Sequence, residues 1–107
     1  MEKKLPSAYR RFAEEQPRVI KAYEALGEAT LTEGALDRKT VELVKIGIAL
    51  GARLEGALHA HVRRAVDAGA TAEEIRHAIR HGLTTVGFPT MMTALSWAND
   101  VLSPEPR

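Results

Sequence analysis

Apolar side chains recur at three- and four-residue intervals along most of this chain, and runs of alternating β-branched residues are scarce. That pattern predicts helices. Pro6 and Ser7 open a first helix to about Glu15, with Tyr9 and Phe12 at helical spacing. Pro17, at a first-turn position, starts a second helix carrying Val19, Ile20, Tyr23 and Leu26, which should stop near Gly27 to Thr30. Asp37 is a good N-cap for the third, RKTVELVKIGIALGAR, with its end marked at Gly51. This helix is apolar on most sides, which predicts a buried element. A fourth helix runs from about Glu55 to Ala68, and Gly69 terminates it. Thr71 with Glu74 three residues on reads as a capping box for a fifth, which should run to near Gly87. Gly87-Phe88-Pro89 is a break, and a last helix covers about Thr90 to Leu102, anchored by Leu95 and Trp97.

The fold class is therefore all-α, with about six helices. A chain of 107 residues has the length of one domain, and no internal repeat or long linker divides it, so residues 1–107 are expected to be a single domain with a frayed tail at 103–107. With two Tyr, two Phe and one Trp, the core must rest on Leu, Ile, Val, Ala and Met, and so small a core favours oligomerisation as extra burial.

Composition narrows the function classes. Net charge is +1, which argues against a nucleic-acid or anionic-membrane partner acting through the whole surface. No apolar run reaches the roughly 18 residues of a membrane span, and the basic N-terminus lacks the apolar stretch of a secretory signal. A cytoplasmic location is the expectation. The chain has no cysteine, so its own side chains supply no disulfide, thiolate ligand or thiol redox couple.

The run LEGALHAHVRRA, residues 54–65, sets His59 and His61 among small apolar residues. Two positions apart on a helix they point about 200° away from each other, so they do not share one ion. Neither a metal nor a cofactor is expected; a metal held by His59, His61 and His77 is a remote alternative. His77 and His81 share a face, but Arg76 and Arg80 crowd it, which reads as a solvated basic surface. Glu42 falls in the middle of the apolar third helix. A buried carboxylate there is either a structural ion pair, with Lys45 one turn on or an arginine elsewhere, or a proton-handling group that orients a histidine. His61 borders the stripe of Leu58, Val62 and Ala65, where a histidine is structural or catalytic according to its partner.

Taken together, LDRKTVELVKIGIAL, then HVRRAVDAGATAEEIRHAI, then VGFPTMMTAL resemble the carboxymuconolactone decarboxylase family, which includes the alkylhydroperoxidase D proteins. The resemblance spans about residues 17–102. It implies an alkylhydroperoxidase D-like helical domain that assembles as a homotrimer or homohexamer, with its site near subunit contacts. In the peroxidase branch the site is a glutamate, Cys-x-x-Cys beginning twelve residues on, and a histidine four residues after the second cysteine. Laid on this chain, the glutamate falls on Glu42 and the histidine on His61, while Leu54 and Ala57 occupy the cysteine positions. Hydroperoxide reduction needs a thiolate nucleophile and a resolving thiol. Leu54 and Ala57 offer neither, so thiol peroxidase chemistry by that mechanism is excluded.

The decarboxylase branch works without the cysteine pair, and its resemblance implies a lyase acting on a small carboxylated lactone or similar acid. Such chemistry asks for a general acid to protonate carbon and for cations to hold a second carboxylate. His61 oriented by Glu42 would be the acid; Lys45, Arg53, Glu55 and His59 are the expected substrate-binding residues. The alternative is a non-catalytic oligomeric binding or scaffold protein of the same fold, in which Glu42 and His61 fix helix packing.

Overall fold

The computed structural model describes residues 5–103, and within them regular structure consists of six helices and no strand. They are α1 (Ser7–Glu15), α2 (Pro17–Thr32), α3 (Arg38–Ala52), α4 (Glu55–Asp67), α5 (Ala72–Arg80) and α6 (Phe88–Leu102). Beyond Ser103, the tail expected at 103–107 lies outside the described residues, as does the start of the basic N-terminus. The chain groups into two compact units, Met1–Ala35 and Leu36–Arg107.

The first unit is a helical pair. Pro6 precedes α1, and Pro17 opens α2, where its fixed φ and missing N–H cost nothing. Tyr9 Oη donates to Glu24 Oε2 at 3.0 Å across the pair. Neither helix contains a buried residue, and Val19, Tyr23 and Leu26 are 52%, 63% and 62% exposed. α2 also runs past the expected stop at Gly27–Thr30: Thr30 and Thr32 hydroxyls bond carbonyls three or four residues back, and the helix continues through Thr32.

The second unit holds the core, built on Ile46, Leu50, Leu58, Val62, Ile75 and Ile79 with alanines of α4 and α6. Its caps follow the residues that encode them. Asp37 Oδ1 accepts from the Thr40 amide at 2.8 Å, and Thr71 and Glu74 close a complete capping box. Gly69, φ +98°, ends α4 in the left-handed region. Between α3 and α4 the Leu54 amide reaches the Ala49 carbonyl and the Arg53 amide the Leu50 carbonyl, the paired bonds of a Schellman turn. The left-handed position of that turn is Arg53, φ 57°, where glycine is usual. Gly51, expected to end α3, lies inside it.

Two other expectations are corrected. α5 ends at Arg80, not near Gly87; residues 81–86 form successive turns that Gly82 closes by accepting from the amides of Thr85, Val86 and Gly87. Gly87, φ +100°, then starts α6 at Phe88, two residues before the expected Thr90, with Pro89 in the first turn. α3 is not buried all round either. It packs inward through Glu42, Ile46, Ala49 and Leu50, positions i, i+4, i+7 and i+8, and leaves Val44 and Ile48 47% and 63% exposed on another side. Three neighbouring helices of one chain cover one face of a cylinder, and the apolar remainder faces outward.

Candidate functional site

α3 and α4 form a hairpin through the Schellman turn that brings the second turn of α3 against the middle of α4. Glu42 and His61 meet in this way: His61 Nδ1 lies 2.8 Å from Glu42 Oε1. The Glu42 side chain is 6% exposed and that of His61 16%. Glu42 shares its face with Ile46 and Ala49, and His61 sits beside Leu58, Val62 and Ala65, so the pair is walled by apolar side chains of both helices. Each carboxylate–imidazole contact of this kind pins the ring's tautomer and orientation when Nδ1–H donates, leaving Nε2 for another partner. Among the described residues no protein group takes up that second nitrogen. Lys45, one turn after Glu42 and half-buried, forms no ion pair with it. The structural pairing of Glu42 with Lys45 weighed from sequence is thus not the one adopted.

The remaining expected site residues lie in two other groups. Arg53 donates to Thr90 Oγ1, and the two line a cavity of about 80 Å³ with Pro89, Thr93 and Trp97. Glu42 and His61 do not line it. Arg53, just past the end of α3, lies eleven positions after Glu42, roughly 16 Å along the axis, so within one chain cavity and pair are separate features. Glu55 and His59, one helical turn apart on α4, instead face Asp100 of α6; His59 Nε2 lies 3.0 Å from Asp100 Oδ2. Asp100 and Thr90 were not legible as site residues, because nothing in the α6 sequence says which turn of α4 or which end of α3 it packs against.

His77, Arg80 and His81 lie on a solvent-exposed surface, as expected, with its arginines engaged by neighbours. Arg76 donates to Asn99 Oδ1 and Ser103 Oγ, and Arg80 is held by Glu73, while the two imidazoles face each other with Nε2 atoms 3.2 Å apart. The Arg80 guanidinium holds the Glu73 carboxyl below the usual carboxylate range.

Comparison with known proteins places this architecture. Residues 17–100 match the carboxymuconolactone decarboxylase family. The chain belongs to that family. A solved structure of a carboxymuconolactone decarboxylase family protein from Legionella pneumophila, in its apo form, superposes with a TM-score of 0.79 at 25% identity, covering 94% of this chain and 89% of that one. An uncharacterized protein of Haemophilus influenzae is 39% identical over 49 residues, 46% of this chain and 43% of that protein, so the match spans less than half the relative's length. Within the carboxymuconolactone decarboxylase family this chain stands apart from a Cys-x-x-Cys pattern, since it contains no cysteine. Among the described residues no helix is long and apolar enough to cross a membrane.

Proposed function

We propose that this chain is a lyase of the decarboxylase type, acting on a small carboxylated lactone or similar acid. His61 is the general acid and Glu42 the residue that orients it. The observation that carries the reading is the 2.8 Å contact between Glu42 and His61 Nδ1, buried among apolar side chains, with Nε2 left to a substrate. Loss of CO2 leaves electron density on the adjacent carbon. An imidazolium held in one orientation delivers its proton there, and the apolar wall disfavours the carboxylate that is leaving. Lys45 lies on the same face of α3 one turn from Glu42 and is the cation best placed to hold a second substrate carboxylate. The test is CO2 release from carboxymuconolactone by the purified chain, with His61→Ala and Glu42→Gln. Turnover reduced about 10²-fold or more in His61→Ala is expected. No turnover in the wild type, or unchanged turnover in His61→Ala, refutes the reading.

The alternative, a non-catalytic binding or scaffold protein, is favoured by one observation: the cavity of the single chain is lined by Arg53, Thr90 and Trp97 and not by the pair. In that case small carboxylates raise the melting temperature of wild type and His61→Asn alike, and neither protein turns a substrate over.

We further infer that the chain acts as a homotrimer or homohexamer. Val44 and Ile48 of α3, Val66 of α4, and Phe88 and Met92 of α6 are 47%, 63%, 46%, 58% and 44% exposed. So many large apolar groups on a small unit mark association surfaces. Sedimentation should give three or six times the chain mass of 11.7 kDa, and Val44→Glu/Ile48→Glu should lower it. A monomeric wild type at micromolar concentration overturns this inference.

A further inference from the structure

We propose that Glu55, His59 and Asp100 form an open binding site for a divalent first-row transition-metal ion of the Zn2+ type. The site is independent of the Glu42–His61 pair and of the reaction proposed for it.

The three residues each present one donor atom, and these atoms lie within 4.8 Å of one another. Glu55 and His59 are four residues apart on α4, so they project from the same side of that helix. Asp100 comes from the last turn of α6 and closes the group from across the helix interface. That interface is rigid where it matters: Leu58 and Val62 of α4 and Ala94 and Ala98 of α6 are at most 1% exposed. The donors are therefore held by packed helices and not by a loop.

The donor spacing suits a metal. Zn–N and Zn–O bonds of about 2.0–2.2 Å put neighbouring ligand atoms roughly 3.0–3.5 Å apart around one ion. His59 Nε2 and Asp100 Oδ2 are already 3.0 Å apart. Glu55, the exposed third donor, completes the group within the same 4.8 Å. One imidazole with two carboxylates is a borderline set that accepts Zn2+, Mn2+, Fe2+, Co2+ or Ni2+, whereas Mg2+ prefers oxygen donors and retains its waters. Three protein ligands leave at least one position for water or an anionic ligand.

Electrostatics points the same way. Two carboxylates converge on one histidine, and among the described residues no lysine or arginine pairs with either of them. An isolated surface ion pair needs one acid. The second, Glu55, adds like charge that a cation relieves.

A second imidazole cluster, His77 with His81, provides the internal comparison, because it offers two donors from one helix and no carboxylate within its hydrogen-bonded group. Full-length protein is stripped with chelator and titrated calorimetrically with ZnCl2, MnCl2 and MgCl2, with circular dichroism confirming that each variant remains helical. One Zn2+ per chain is expected, with Mg2+ binding far more weakly. His59→Gln and Asp100→Asn should each weaken Zn2+ binding at least about tenfold, and Asp100→Asn changes a side chain that is 53% exposed, so folding is retained. His77→Ala should bind as the wild type does. No Zn2+ binding by the wild type at 100 µM ZnCl2, a chosen titration limit of about this size, overturns the proposal. Undiminished binding in His59→Gln does so too, as does loss of binding in His77→Ala in place of the α4–α6 variants.

Discussion

Removing the His61 ring should cost far more stability than neutralising Glu42, although both changes break the same contact. Glu42 is 5% exposed, and His61 Nδ1 is its hydrogen-bond partner. In His61→Ala the carboxylate stays inside the second unit with its partner gone, and breaking a buried pair from one side costs about 3–5 kcal/mol. The histidine side chain is 16% exposed, so some water reaches the gap and the lower end, about 3 kcal/mol, is expected. In Glu42→Gln the amide oxygen still accepts from Nδ1–H and the buried charge is gone. That variant loses only the difference between a charged and a neutral hydrogen bond, about 1 kcal/mol. The double variant should then be more stable than the sum of the two losses predicts, by at least about 1 kcal/mol, because no charge is left without a partner. Urea unfolding at pH 7.5, repeated at two protein concentrations to separate subunit dissociation from unfolding, measures all four corners of the cycle. Two single variants equal within about 0.5 kcal/mol, or strict additivity in the double variant, would falsify this account of the pair.

Two further outcomes follow from the helix ends. Asp37 is held below the usual carboxylate range by the Thr40 hydroxyl and then its amide, and Glu74 by the Thr71 amide and Lys39; both carboxyls bind protons less readily folded than unfolded, so the stability they contribute is complete above the ordinary carboxylate range and lost as pH falls through their lowered folded values. The melting temperature should therefore decline below about pH 4–5, and Asp37→Asn with Glu74→Gln should flatten that decline; an identical acid limb in the variant contradicts the assignment. Arg53→Gly should change stability by less than about 1 kcal/mol, because glycine removes the cost of φ 57° while the bond to Thr90 is lost. The same variant should lose any carboxylate binding in the cavity of Arg53 and Trp97, measured by ligand-induced thermal shift; undiminished binding excludes Arg53 as the anion contact.

Helices, their caps and the family were readable in the chain before any coordinates. Asp37, the Thr71–Glu74 box, Gly69 and Pro17 act through neighbours one turn away, and interactions of that range are written in adjacent residues. The pairing of Glu42 with His61 was suggested only by the family resemblance, since Glu42 lies ten residues before the end of α3 and His61 six after the start of α4. What failed was everything that depends on a neighbour distant in sequence. α5 stops at Arg80 in a turn that sets Gly82 against the Leu50 side chain of α3, and the apolar pattern of α3 could not tell a face covered by α4–α6 from one left open. Five of the six residues grouped as one site divide into a pair, a cavity and an acidic cluster because α6 supplies Thr90 and Asp100 to two of these groups. Sequence periodicity determines which side of a helix is apolar. Only the packing of α6 on α3 and α4 decided what each polar residue on those sides would meet, since register between helices is set by side-chain fit and not by any one helix's repeat.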